Sequence, residues 1–192
     1  MNAQQVVDEI FELYEKHGSD DYIGEPVSQI EHMSQSAQLA MNEMFDDEVV
    51  LAAFFHDIGH LCSKESENMG GYGVKSHEKI GADLLRSKGF PEKIAKLVEN
   101  HVQAKRYLTF AFPEYYERLS EASKKTLEYQ GGRMSKQEAQ AFEVDPLFVE
   151  SIRMRHWDEE AKLENVPLLD LEILKSKAIH VLNKKPITQL LN

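Results

Sequence analysis

The sequence has little of what secreted and membrane proteins need. One cysteine, Cys62, stands among 192 residues, so no disulfide can form within the chain. The longest uninterrupted apolar run, from Val49 to Phe55, is far shorter than the roughly 20 residues of a membrane-spanning helix. The first residues are neither basic nor strongly apolar, so no secretory signal is expected. These absences favour a cytoplasmic protein with no membrane partner.

An excess of positive charge is also missing. The chain has 22 Lys and Arg against 33 Asp and Glu, which gives a formal net charge of −11. Affinity for nucleic acid and for anionic membranes depends mainly on Lys and Arg, so neither is expected as a partner. A small anionic substrate remains compatible with this charge, because metal ions and a few buried bases can reverse the potential within one site.

Helical periodicity, in contrast, is present almost from end to end. Two apolar stripes at helical spacing come first, at Val6, Ile10 and Leu13 and at Met33, Ala37, Ala40 and Met44. An apolar helix is then predicted from the caps Asp46 and Asp47 to Asp57, with Gly59 as its stop, followed by a loop over 63–75. Further helices are predicted at 77–88, 91–108, 113–128, 135–142, 146–163 and 168–183. Because strand patterns and repeats are absent, residues 1–192 are interpreted as a single all-α helical bundle.

Several metal-competent side chains lie where apolar packing would be expected. His56 and Asp57 directly follow Phe54 and Phe55, and polar groups in a buried helix are costly without partners. His101 and Lys105 continue the apolar face of their helix. Each residue alone could be a satisfied core group or a helix end in water. The recurrence of such residues on five helical segments favours a shared site, and the candidates are His32, His56, Asp57, His77, His101 and Asp158.

The order His, His-Asp, His, His, Asp resembles the signature of the HD-domain superfamily and covers most of the chain. The resemblance implies an all-α HD fold with two first-row metals. It also implies that Asp57 bridges the two metals. His32, His56 and Asp158 would then hold one metal, and His77 and His101 the other. The Gly71-Tyr72-Gly73 segment is not the tripeptide of the HD-GYP phosphodiesterases and is interpreted as loop.

A Tyr and a Glu precede the first histidine of this set, at Tyr22 and Glu25. Their type and spacing to His32 resemble the PhnZ-type oxygenases, a mixed-valence diiron branch of the superfamily related to myo-inositol oxygenase. In that branch the Tyr occupies a metal position until substrate displaces it. Taken without the resemblance, Tyr22 could pack in the core and Glu25 could cap a helix.

Other residues could complete such a site. His60 lies one turn after His56 and could overlook the metals, although a histidine at a helix C-terminus is also favoured by the dipole. Lys105 and Arg155 would bring positive charge to an anionic substrate. By resemblance, Ser123 and Thr126 would hydrogen-bond phosphonate oxygens; otherwise they form an exposed helix face.

The resemblance implies a non-haem diiron enzyme in which an Fe(II)/Fe(III) pair uses O₂ to cleave the C–P bond of a 1-hydroxyphosphonate. We predict 2-amino-1-hydroxyethylphosphonate as the substrate, with glycine and phosphate as products, because Glu25 could pair with a primary ammonium. A trimethylammonium group usually needs an aromatic cage, and none is indicated. The alternatives are a metal-dependent phosphohydrolase (a nucleotidase or phosphodiesterase), a degenerate HD module that binds without catalysis, and myo-inositol oxidation.

Overall fold

The computed structural model describes residues 1–22, 24–62 and 69–184. Within these ranges a 3-10 helix at Ile58–Leu61 accompanies ten α-helices: α1 (Ala3–His17), α2 (Gln29–Asn42), α3 (Asp47–Phe55), α4 (His77–Ser87), α5 (Glu92–Ala111), α6 (Pro113–Arg118), α7 (Glu121–Tyr129), α8 (Lys136–Glu143), α9 (Phe148–Glu160) and α10 (Leu171–Asn183). The predicted single all-α domain is confirmed. None of the described helices is long and apolar enough to cross a membrane.

Helix α3 is the centre of the bundle. Every side chain from Val49 to Phe55 is buried, and α3 packs against α2, α5, α9 and α10. Phe54 stacks on Phe11 and Tyr14 of α1, and the Tyr14 hydroxyl donates to the Phe54 carbonyl at 3.2 Å. Burial of each such ring stabilises the fold by about 2–3 kcal/mol. Because α3 runs through the core, the two residues that follow it enter the interior of the bundle.

The end of α3 differs from the prediction. The α-helix stops at Phe55 rather than continuing to Asp57, and the chain turns into the 3-10 helix. Gly59 permits this turn, because a Cβ at that position would lie 2.0 Å from the carbonyl oxygen of His77. The close approach brings the start of α4 against the end of α3. The turn therefore sets the relative positions of His56, Asp57 and His77.

The structure also differs from the predictions for residues 113–128 and for Met44. The predicted helix at 113–128 is divided, because Leu119 is extended and the Ser120 side chain caps a new helix by accepting from the Ser123 amide at 3.1 Å. Met44 does not continue the buried stripe of α2; it follows the end of that helix and is 90% exposed. Residues 63–68 of the predicted loop lie outside the described residues.

The first turn of α2 is fixed by a capping box. The Ser28 side chain accepts from the Glu31 amide, and the Glu31 carboxylate accepts from the Ser28 amide at 2.7 Å. Such a reciprocal pair satisfies donors that a helix start leaves free. With the start of α2 fixed at this point, His32 falls one turn into the helix and is completely buried.

Candidate metal centre and substrate cavity

The structure brings together all six ligands predicted from the sequence. They come from α2, the turn after α3, the start of α4, α5 and α9, and each is at least 96% buried: His32, His56, Asp57, His77, His101 and Asp158. The histidines form two pairs that meet through their Nε2 atoms. The distance is 3.0 Å between His32 and His56, and 3.1 Å between His77 and His101.

Asp57 lies between the two histidine pairs. Its Oδ2 is 3.4 Å from His56 Nε2 and 3.7 Å from His32 Nε2. Its Oδ1 is 3.2 Å from His77 Nε2 and 3.5 Å from His101 Nε2. One carboxylate oxygen therefore faces each pair, which is the arrangement needed for a carboxylate that bridges two ions.

Backbone carbonyls fix the orientation of the four imidazoles. In each ring Nδ1 lies at hydrogen-bonding distance from a carbonyl oxygen: that of Ala161 at 2.9 Å for His32, Ala53 at 2.8 Å for His56, Val74 at 3.2 Å for His77 and Val98 at 2.6 Å for His101. A carbonyl can only accept, so Nδ1 carries a hydrogen and Nε2 is directed into the cluster. Metal-binding histidines are held in the same way.

These donors fit a pair of metal ions. Two Nε2 atoms about 3 Å apart need a cation between them, either a proton in a hydrogen bond or a metal ion that both atoms coordinate. Asp158 Oδ1 is buried without a hydrogen-bond partner, although it lies 3.4 Å from His32 Nε2. This buried oxygen is a further candidate ligand atom. Imidazole and carboxylate donors suit first-row metals such as iron, manganese or zinc.

Without a bound cation, the carboxylates draw protons onto the cluster. Burial opposes a charge on His56, but the Asp57 carboxylate outweighs it and raises the pKa of His56 to about 9. Burial also opposes the charge on Asp57, yet His56 and the neighbouring imidazoles hold the pKa of its carboxyl well below the usual range. Arg155 does the same for Asp158. Metal binding must therefore displace protons from this site.

His60 lies beside the second histidine pair. Its ring stacks on that of His77 at 4.0 Å between centroids, and its Nδ1 accepts from the Val74 amide at 3.1 Å. Asp57, His60 and His77 each offer a ligand atom within 4.8 Å of the others, as do His32, His56 and Asp57. Burial and the nearby His77 lower the pKa of His60 to about 3, so it stays neutral with its hydrogen on Nε2.

Tyr22 covers the first histidine pair. Its ring stacks on His32 at 4.1 Å with an angle of 13° between the planes. Burial, reinforced by Asp57 and Asp158, raises the pKa of the Tyr22 hydroxyl well above its ordinary value. The neighbouring Glu25 does not cap a helix; its Oε1 accepts from Lys162 Nζ at 2.6 Å. Tyr22 and Glu25 both line the cavity described next, and their predicted roles in the site stay predictions.

A small cavity of about 60 Å³ opens onto the cluster of histidines and aspartates. Its lining combines ligand residues with all the other residues predicted for the site: Tyr22, Glu25, Asp57, His60, His77, His101, Lys105, Ser123, Thr126, Arg155 and Asp158. His32 and His56 lie behind this wall. Side chains from six parts of the sequence therefore converge on one cavity.

Two buried cations line the cavity. Lys105 Nζ donates to Thr126 Oγ1 at 2.9 Å, and burial together with Arg155 lowers the pKa of Lys105 to about 7. Arg155 is held by Asp158 and by the Tyr115 hydroxyl, which accepts from its Nε at 2.8 Å. Arg155 Nη2 lies 3.0 Å from Glu159 but makes no aligned hydrogen bond there. Lys105 and Arg155 thus bring positive charge to the cavity wall.

The sequence did not indicate several other members of the site. Tyr115 is one of them, because its contact with Arg155 joins α6 to α9. Gln29 and Gln130 line the cavity, and each has a buried side-chain oxygen with no hydrogen-bond partner. The position of Gln29, one turn before His32 on the same helix face, was the only available signal. Lys162 follows α9, and nothing in its sequence context pointed to Glu25.

Known proteins match this chain over most of its length. The HD domain family model matches residues 29–168. The [1-hydroxy-2-(trimethylamino)ethyl]phosphonate dioxygenase (glycine-betaine-forming) of Leisingera caerulea is 39% identical over 163 residues, which are 84% of this chain and 83% of that protein. The hydroxymethylphosphonate dioxygenase of Gimesia maris is 35% identical over 168 residues, 86% of this chain and 83% of that protein.

A further relative, the uncharacterized protein L432 of Acanthamoeba polyphaga mimivirus, is 43% identical over 188 residues, 95% of this chain and 86% of that protein. Identity at this level over most of both chains shows common descent. The chain therefore belongs to the HD-domain family and, within it, to the PhnZ-type phosphonate oxygenases.

Proposed function

We propose that this protein is a non-haem diiron dioxygenase that uses O₂ to cleave the C–P bond of a 1-hydroxyphosphonate and release phosphate. The observation that carries the proposal is the position of Asp57, whose two oxygens face two histidine pairs beside a cavity lined by Lys105 and Arg155. Relatives named as phosphonate dioxygenases support the same chemistry.

The metals proposed are two irons in an Fe(II)/Fe(III) pair. His32, His56 and Asp158 would hold one ion, His77 and His101 the other, and Asp57 both. The bound irons would supply the redox chemistry with O₂ and a chelating position for the substrate's hydroxyl and phosphonate oxygens. The protein contributes ligand orientation through the four backbone carbonyls that accept from Nδ1.

The phosphonate end of the substrate would be held by the two buried cations. Both side chains line the cavity. Lys105 would donate charge-assisted hydrogen bonds to phosphonate oxygens, which are among the stronger ones in proteins, and Arg155 would add its positive charge. The Thr126 hydroxyl already bonds Lys105 and the Ser123 carbonyl, so it fixes the lysine and also lies within reach of the anion. The Ser123 side chain, one turn earlier on α7, is proposed as a further donor.

The remaining residues would orient the substrate and exclude water. Neutral His60 offers its Nε2 hydrogen beside the second metal position. Tyr22, stacked on His32, would cover the first metal position until substrate displaces it. The cavity walls replace water with fixed donors and acceptors, which strengthens every electrostatic interaction inside. The side group would be a primary amine, with Glu25 and its partner Lys162 near it.

A substrate panel tests this proposal. Iron-loaded protein is incubated in air with 2-amino-1-hydroxyethylphosphonate, its trimethylated analogue and hydroxymethylphosphonate, and with a phosphate monoester as the substrate of the rival phosphohydrolase. We expect phosphate from at least one hydroxyphosphonate, glycine from the amino compound, and no hydrolysis of the ester. Hydrolysis of the ester without turnover of any hydroxyphosphonate would overturn the proposal in favour of the hydrolase.

A further inference from the structure

A partly buried ion pair at the edge of the cavity joins two distant parts of the chain. Lys162 Nζ lies 2.6 Å from Glu25 Oε1, and the side chains are only 16% and 11% exposed. The two residues are 137 positions apart in sequence. Lys162 is not among the residues that line the cavity, whereas Glu25 is. The lysine therefore acts on the cavity through Glu25.

Glu25 belongs to a tight turn that forms part of the cavity wall. The Glu25 amide donates to the Tyr22 carbonyl at 2.9 Å, and Gly24 has a φ of +84°. A Cβ on Gly24 would lie 2.8 Å from Cβ of Ala122, so the turn is packed against α7. Glu25 also lines a second hollow on the other side of the turn. Its carboxylate thus stands at the boundary between the cavity and the exterior.

The residues on either side of Lys162 fix its position through hydrogen bonds. The carbonyl of Ala161 accepts from His32 Nδ1 at 2.9 Å. Leu163 exchanges two hydrogen bonds with the side chain of Gln35: its amide donates to Oε1 at 3.1 Å, and its carbonyl accepts from Nε2 at 2.9 Å. Both sides of Lys162 are therefore anchored to α2, and its ammonium is placed next to Glu25 by the fold.

We propose that Lys162 is a specificity-determining residue, which sets through Glu25 the charge that the substrate's side group meets. The inference rests on the proposed function for the identity of the substrates. A carboxylate already paired with a lysine attracts a second ammonium less than an unpaired one does, since the two cations repel. In the native protein the Glu25 carboxylate is already paired with Lys162. The site therefore accepts phosphonates with and without a cationic side group. Removing the lysine charge leaves Glu25 unpaired, and a cationic substrate becomes its counter-ion.

The test compares Lys162→Met, which keeps the aliphatic stem, with Lys162→Arg, which keeps the charge. The readout is the ratio of kcat/KM for 2-amino-1-hydroxyethylphosphonate to that for hydroxymethylphosphonate. Losing a positive charge weakens the binding of both anions, but only the amino compound gains from Glu25. We expect Lys162→Met to raise the ratio roughly tenfold, as for one partly buried charge pair. We expect Lys162→Arg to leave it near the wild-type value.

Two further variants separate this role from a structural one. Lys177 pairs with Asp47 at the same distance, 2.6 Å, and lies between α10 and α3 outside the cavity lining. Lys177→Met should therefore leave the ratio unchanged. Glu25→Gln combined with Lys162→Met should abolish the gain. The proposal is overturned if the ratio does not rise in Lys162→Met, or if the gain persists in the double variant. Lys162→Gln serves as the second charge-removing variant if Lys162→Met fails to fold.

A binding measurement makes the inference independent of turnover. Calorimetry is carried out with 2-aminoethylphosphonate and ethylphosphonate, which lack the C1 hydroxyl of the substrates. It gives the same preference as a ratio of dissociation constants. If the preference shifts in Lys162→Met while no hydroxyphosphonate is cleaved by the wild type, the role of Lys162 stands and the proposed function fails. If cleavage occurs and neither ratio shifts, the proposed function stands and the role of Lys162 is wrong.

Discussion

His32 and His56 face each other through their Nε2 atoms at 3.0 Å, although the Nδ1 atom of each is directed at a backbone carbonyl. In this arrangement the two Nε2 atoms can share one cation, either the proton that the raised pKa of His56 indicates or a metal ion. Because the fold holds both rings in this orientation, it favours a cation between the two Nε2 atoms. His77 and His101 repeat the relationship at 3.1 Å on the other side of Asp57.

Removing Asp57 should empty both metal positions, because one of its oxygens faces each histidine pair. We expect two metal ions per chain in the wild type, close to none in Asp57→Ala, and one in Asp158→Ala, since Asp158 approaches only the first pair through His32. Elemental analysis of the purified proteins measures this. Asp83→Ala removes an exposed carboxylate paired with Lys79 and should keep both ions. Full metal content in Asp57→Ala would contradict the bridging role.

Tyr22→Phe should keep the metal pair but remove the phenol oxygen. The phenyl ring can still stack on His32, so folding and metal content are expected to stay the same. Any absorption band that arises in the resting enzyme from a phenolate bound to iron should disappear in the variant, and a visible spectrum with parallel elemental analysis measures this. A band that persists in Tyr22→Phe would show that another group produces it.

The charge of Lys105 should give phosphonate binding a pH dependence. Its pKa is lowered to about 7, and an anion favours the charged form, so affinity should fall as pH rises above 7 and binding should take up a proton. Lys105→Arg stays charged and should lose this decline, while Lys105→Met should weaken binding by about 1–3 kcal/mol. Calorimetry of 2-aminoethylphosphonate binding from pH 6 to 9 measures the affinity and the proton uptake. The ligand's own ionisation contributes equally to the profiles of the wild type and both variants. Identical profiles for the wild type and Lys105→Arg would contradict the assignment.

Replacing Arg155 should lower the free energy of unfolding more in the metal-free protein than in the metal-loaded one. Its guanidinium compensates the buried carboxylate of Asp158 and the partly exposed one of Glu159. Arg155→Met should therefore cost about 3–5 kcal/mol of unfolding free energy in the presence of a chelator. A bound metal gives Asp158 another cation, so the loss should be smaller in the metal-loaded protein. Denaturant unfolding in both states measures the difference. Arg153→Met, which breaks a more exposed pair with Glu43, should cost about 0–1 kcal/mol in either state. Equal losses for Arg155→Met in both states would contradict the account.

The helical class and the six candidate ligands could be predicted from the sequence, because periodicity and residue type can be read from it directly. It did not predict the division at Leu119, since the competing Ser120 cap is indistinguishable from an exposed serine within a helix. The carbonyl partners of the imidazoles and the contact of Tyr115 with Arg155 were also beyond it. These features depend on how helices pack, which residue spacing does not encode.

Glu25 illustrates the same limit. Its position before His32 indicated a role near the metals, and the structure places it in the cavity wall. Its partner Lys162 lies far away in sequence, so the charge that Glu25 presents to a substrate could be judged only from the structure.

Oxygen dependence tests the central proposal most directly. Iron-loaded protein is mixed with a hydroxyphosphonate that it turns over, in air and under strict anaerobiosis, while O₂ consumption and phosphate release are recorded together. The account predicts one O₂ consumed for each phosphate released in air, and no phosphate beyond the enzyme-bound amount without O₂. Phosphate release that continues at the same rate without O₂ would contradict it and identify the protein as a hydrolase.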